Sequence, residues 1–109
     1  MNSRNSFYDI SSFYNKKGIL SASFQGMRYR VERFADNGEK GVLRAAVWPE
    51  PFAFENTPEE YKVYRQFPYE ESGLDEVYKW ICDCYEKRVG EWEFALKRPM
   101  EQAAKMGCI

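Results

Sequence analysis

Between Leu20 and Glu32 apolar and polar side chains alternate almost residue by residue, a period that fits a half-buried β-strand and little else. Leu20, Ala22 and Phe24 take one face, with Ser21 and Ser23 on the other. Gln25-Gly26 then turns the chain into a second strand, Met27–Phe34, where Met27, Tyr29 and Val31 oppose Arg28, Arg30 and Glu32. Asp36-Asn37-Gly38 reads as a turn, because these residue types tolerate left-handed backbone at little cost. A third strand is expected over Val42–Trp48. The prolines of Trp48-Pro49-Glu50-Pro51-Phe52 end its pairing, since proline lacks the ladder donor. Alternation resumes in a fourth strand, Tyr61–Phe67. Such a meander is an antiparallel sheet with one solvated face.

On either side of this region the period is helical. Phe7, Ile10, Phe13 and Tyr14 follow the 3/4 spacing of one apolar helix face, which predicts a first helix over Ser6–Lys17. Ser6 with Asp9 resembles a capping box, and Gly18 supplies a stop. After the sheet, Leu74, Val77, Ile81 and Cys84 predict a helix over Ser72–Val89, capped by Ser72 with Asp75 and ending before Gly90. Glu91–Met106 is also helical in pattern, interrupted at Pro99. The expected fold is α+β: an antiparallel sheet of three to four strands packed against an N-terminal helix and a C-terminal helical region. At 109 residues, one domain over 1–109 is the natural reading. The expected core is Leu20, Phe24, Val31, Val47, Leu74, Val77 and Ile81, with Trp80 or Cys84.

The chemistry is bounded chiefly by what is missing. The chain has no histidine, which removes the commonest general base, the Ser-His-Asp and Cys-His nucleophile pairs, and His-containing zinc sites. Cys82 and Cys84, two apart on a helix, point about 200° away from each other and cannot chelate one ion together. No metal site, cofactor or catalytic residue is therefore expected. Adjacent glutamates such as Glu59-Glu60 and Glu70-Glu71 show no sign of the split environments that acid–base pairs require. Three cysteines, an odd number, suit a reducing compartment. With no apolar run of ~20 residues and no secretory pattern at the start, the cytoplasm is the expected location.

Net charge is −1, yet the two halves differ. Residues 1–48 carry eight Lys or Arg against four Asp or Glu, while residues 49–109 carry eight against thirteen. The acidic excess peaks over 50–76, where eight carboxylates face only Lys62 and Arg65. Two binding surfaces follow as expectations. In one, Glu50, Glu55, Glu59, Glu60, Glu70 and Glu71, with Phe52, Phe54 and Tyr64 as aromatic anchors, address a basic protein groove. In the other, Arg28, Arg30, Arg33 and Arg44 form a basic stripe on one sheet face for RNA or DNA. The α-β-β-β-α order resembles a double-stranded-RNA-binding domain, but the isoelectric point near 5.6 opposes that partner.

Lys17-Gly18-Ile19-Leu20-Ser21-Ala22-Ser23-Phe24-Gln25-Gly26-Met27-Arg28-Tyr29-Arg30, Trp48-Pro49-Glu50-Pro51-Phe52-Ala53-Phe54 and Thr57-Pro58-Glu59-Glu60 resemble segments of short proteins from Firmicutes mobile genetic elements. Some of these proteins carry an acetyltransferase label, and proteins of this genomic setting include anti-CRISPR inhibitors. The resemblance spans roughly residues 7–89. It implies a non-enzymatic protein-binding module that inhibits a partner such as a CRISPR effector nuclease. The acetyltransferase alternative lacks its [RQ]-x-x-G-x-[GA] pyrophosphate loop: Gly73 precedes a helix, but Glu70 and Glu71 beside it would repel the anion.

Overall fold

A computed structural model describes residues 3–35 and 40–107. The fold is α+β. Strands β1 (Leu20–Phe24), β2 (Met27–Phe34), β3 (Val42–Pro49) and β4 (Val63–Pro68) precede helices α1 (Glu71–Lys87), α2 (Val89–Lys97) and α3 (Pro99–Lys105). The strands form one antiparallel sheet in the order β1-β2-β3-β4. No helix among the described residues is long and apolar enough to cross a membrane.

The alternation set the register. Ala22 stands opposite Tyr29 and Tyr29 opposite Val47, so the apolar residues of successive strands line one face. At the β1–β2 hairpin, Gln25 and Gly26 both take positive φ, 45° and 96°, as a two-residue turn matching the sheet twist requires. A side chain at Gly26 is excluded twice over, because its Cβ would lie 1.8 Å from the Trp92 carbonyl oxygen. The turn at Asp36-Asn37-Gly38 lies outside the described residues.

Helix α1 lays Leu74, Val77 and Ile81 on the apolar face, against β3 and β4. There they join Leu20, Val31 and Val47 in the buried core, while Phe24, Trp80 and Cys84 pack at its margin, half-buried. The cap of α1 differs from expectation. Glu70 is the N-cap residue, without a side-chain cap bond, and Ser72 sits inside the helix with its hydroxyl donating to Glu70. The helix also ends earlier, at Lys87, and Gly90 belongs to the first turn of α2. Pro99 does restart the chain as expected, in the first turn of α3, where its missing N–H costs nothing.

The predicted N-terminal helix is not formed. Residues Arg4–Phe7 and Tyr14–Lys16 make short 3-10 turns instead. Tyr8 and Lys17 both adopt φ 64°, which breaks helical continuity at each end of the segment. Asp9 accepts the Ser12 amide at 2.7 Å rather than closing a capping box with Ser6, whose hydroxyl donates to the Ser3 carbonyl. The apolar spacing has another use here. Phe7 stacks on Tyr29 at 5.4 Å and meets the edge of Tyr78, and Tyr14 donates to the Phe7 carbonyl at 2.8 Å. Arg4 then ties the segment to α1 through Asp75 at 2.7 Å and Glu71 at 3.6 Å.

Candidate functional site: an acidic strap across the sheet

The other face of the sheet lies away from α1. It presents Arg28, Arg30 and Glu32 from β2, Arg44, Ala46 and Trp48 from β3, and Tyr64 and Gln66 from β4, as the register dictates. Residues 50–62 cross this face as a strap. One hydrogen bond ties it to β3 and another holds its own shape. The Trp48 indole N–H donates to the Phe52 carbonyl at 2.9 Å, and the buried Thr57 hydroxyl donates to Ala53 at 2.9 Å. Phe54 is then laid between Trp48 and Tyr64, with ring centroids 5.4 and 6.1 Å away. Two cations lie over it: the Arg30 guanidinium 4.5 Å from its centroid and the Lys62 ammonium 4.0 Å.

Parts of the two surfaces expected from the sequence therefore meet. Arg28 pairs with Glu50 at 3.6 Å, Arg30 with Glu32 at 3.0 Å and Glu55 at 3.4 Å, and Arg44 with Glu32 at 3.6 Å. These groups differ in exposure. The side chains of Arg30 and Glu32 are 19% and 18% exposed, whereas Glu55 and Glu59 are 72% and 73% exposed. Over Arg30 and Lys62 solvent meets the carboxylates of Glu55 and Glu59, whereas Arg28 and Arg44 are more exposed than their partners Glu50 and Glu32. Glu60 is exposed next to Glu59 and has no ion pair among the described residues.

Glu59 is the most closely defined acid of the strap. It accepts from the Tyr64 hydroxyl at 2.7 Å and from the Lys62 ammonium at 3.0 Å. Both bonds favour the anion, and they hold its carboxyl below the usual carboxylate range, the Tyr64 bond contributing most. Desolvation, reinforced by that same bond, pushes the Tyr64 phenol up to about 12. A carboxylate fixed as an anion between two donors is a poor proton carrier near neutral pH and a good point of negative charge. Beside it, Arg44, Phe54, Tyr64, Arg65 and Gln66 line a shallow concavity of about 740 Å³.

Of the acidic set, Glu50, Phe52, Phe54, Glu55, Glu59, Glu60 and Tyr64 come together on the strap face. Glu70 and Glu71 do not join them. They open α1, where Glu71 accepts the Ile10 amide at 2.7 Å and holds the N-terminal segment. Of the basic set, Arg28, Arg30 and Arg44 share the strap face, but Arg33 does not. Its position in β2 has the parity of Val31, so it leaves on the helix side, where its guanidinium lies 5.3 Å from the Tyr69 ring centroid. Sequence reasoning missed Trp48 as an anchor and Lys62 as the cation under Glu59. The unbroken apolar run Ala45-Ala46-Val47-Trp48 carried the signal, since a strand apolar on successive residues is covered on both faces.

Cys82 and Cys84 are both free and half-buried, and burial pushes the Cys84 thiol up, away from the reactive thiolate. No group of three or more potential metal-ligating side chains is found among the described residues. No family model matches the chain, and no curated protein or solved structure is found to be similar to it.

Proposed function

We propose that this chain is a non-enzymatic protein-binding module that presents the strap carboxylates to a Lys- or Arg-lined groove of a nucleic-acid-handling partner, thereby inhibiting it. A CRISPR effector nuclease is the partner class that the sequence resemblance suggests. The observation that carries this reading is the exposure of the strap acids: Glu55 and Glu59 stand outside the cations they pair with, Arg30 and Lys62, and Glu60 is exposed beside them. Carboxylates in such an array offer a basic groove what phosphates offer it, and their fixed positions reduce the ordering cost of binding. Phe54 and Tyr64 supply the aromatic surface on which such contacts centre.

A panel of purified CRISPR effector nucleases tests the reading by DNA cleavage with and without the chain. Inhibition is expected for at least one, weakening as salt rises, since screening shortens to about 8 Å at physiological ionic strength. Glu59→Lys with Glu60→Lys leaves the Arg28 and Arg30 pairs intact and should weaken inhibition by at least about tenfold. A double variant that inhibits as well as the parent removes the acidic strap from the mechanism.

The concavity beside Tyr64 favours a second reading, a single-stranded nucleic-acid site in which bases stack on Phe54 and Tyr64 between Arg44 and Arg65. That reading requires a gel shift with single-stranded DNA or RNA that Arg44→Glu with Arg65→Glu abolishes. Under the inhibitor reading the parent produces no such shift.

A further inference from the structure

We propose that the free edge of β4, with the groove between it and α1, docks a second copy of this chain, giving a two-fold dimer with one continuous sheet. This rests on β4 and α1 and not on the strap, so it stands or falls separately from the proposed function.

β4 is an outermost strand, and among the described residues no strand pairs with its outer side. Every residue of it but Phe67 is exposed, including Val63 at 42% and Tyr64 at 38%. An uncovered edge of this kind is a template for pairing with another strand. Beside it runs a groove of about 350 Å³ lined by Arg65, Phe67, Glu76, Lys79, Trp80 and Asp83 among others. Phe67 and the half-buried Trp80, with ring centroids 5.9 Å apart, form its apolar floor. Its rim holds two cations and two carboxylates. None of the four makes an ion pair among the described residues, whereas Arg28, Arg30 and Arg44 of the strap face all do. Balanced and unpaired charges complement a second copy of the same surface better than they complement a uniformly acidic or basic chain.

Register agrees with this occupant. In an antiparallel two-fold pair, opposed side chains share a face, so the axis passes through a residue. An axis at Arg65 would set two guanidiniums against each other, and one at Tyr64 would carry the pairing away from the groove. An axis at Gln66 sets Arg65 opposite the partner's Phe67, repeating the contact Arg65 already makes with its own Phe67 ring at 5.4 Å. Pro68, having no N–H, limits the ladder at its end. Helix α1 packs on both β3 and β4, so a two-fold axis at the β4 edge places the two α1 helices on the same side of the joined sheet, next to the shared edge.

Sedimentation velocity of the full chain under reducing conditions, up to about 200 µM, is expected to show a monomer–dimer equilibrium. Gln66→Pro, which removes a ladder donor, and Lys79→Glu, which unbalances the groove, should each weaken the dimer by about tenfold or more. Lys79 is exposed on α1, so that variant still reports on docking if the proline variant fails to fold. After mild oxidation, Gln66→Cys should yield a disulfide-linked dimer that the parent and Ser21→Cys, on the opposite edge strand, do not yield. A chain that stays monomeric over the whole range overturns the proposal. So does a dimer that Lys79→Glu leaves unchanged, or one that cross-links through Ser21→Cys.

Discussion

Tyr14 takes a hydroxyl into the core and spends it on one bond, to the Phe7 carbonyl at 2.8 Å, which holds the N-terminal segment in place of helical hydrogen bonds. Burial raises its phenol well above the usual tyrosine range, opposed in part by nearby Arg4. A raised pKa in the folded state means that folding favours the neutral phenol. Its contribution is complete below the unfolded value near 10 and declines as pH rises beyond it. Tyr14→Phe leaves a buried carbonyl without its donor, so a loss of about 1–2 kcal/mol is expected at neutral pH. The gap between parent and variant should then narrow above pH ~10, because only the parent has a Tyr14 that ionises on unfolding. Denaturant melts from pH 8 to 11 check both parts, and a constant gap would place the hydroxyl in an environment no less polar than the unfolded chain. The sequence placed Tyr14 on an apolar face but not in the expected core. It did not identify its use, because a 3/4 spacing of aromatics also suits a segment whose rings reach one sheet face from 3-10 turns. Arg33 leaves the basic stripe for a different reason: it shares the parity of Val31, which fixes its side chain on the helix side.

Elements read well wherever two local signals agreed. β1 and β2 had alternation and a Gln-Gly turn, α1 had periodicity over most of its length, and α3 had Pro99 at its start. Ser72 shows what happens when a local signal meets a tertiary one. The helix begins one residue earlier because the chain must turn out of β4 at Pro68 with α1 pressed against it. Gly73 records that pressure. A Cβ there would lie 1.9 Å from the Pro68 carbonyl oxygen, a backbone atom that cannot step aside. In an open helix, Gly→Ala gains up to about 1 kcal/mol. At Gly73 the overlap reverses the sign, and Gly73→Ala should cost about 2 kcal/mol net, lowering Tm by roughly 10 °C. Gly90, also helical, has nothing within 4 Å of its would-be Cβ, and Gly90→Ala should raise Tm by a few degrees. Thermal melts of the two variants form the comparison. Shifts of the same sign would mean that the β4–α1 junction is looser than its geometry implies.

At the scale of the whole molecule, each face of the sheet has its own cover. Helices and the N-terminal segment bury one face in a continuous apolar core; the strap closes much of the other with one aromatic ring, hydrogen bonds from Trp48 and Tyr64, and ion pairs. The sequence showed the charges of this second layer but not their pairing, because Arg30 and Glu55 are 25 positions apart and only the path of the strap joins them. Exposed ion pairs contribute little each, about 0–1 kcal/mol, so Phe54 and Trp48 carry most of the strap's attachment. Phe54→Ala should therefore free the strap without unfolding the chain. Losing a partly buried ring costs about 2 kcal/mol, which the α1-side core should survive, with far-UV circular dichroism unchanged. Trp48, which is fully buried, would gain solvent, and its fluorescence should shift to the red. Trp80, half-buried, and Trp92, buried and bonded to the Cys84 carbonyl, should report no change. If inhibition depends on carboxylates held in a fixed array, the same variant should weaken it although every glutamate is retained. A Phe54→Ala protein with its fluorescence shifted and its inhibition intact would show that the strap acts through its charges alone, whatever their arrangement.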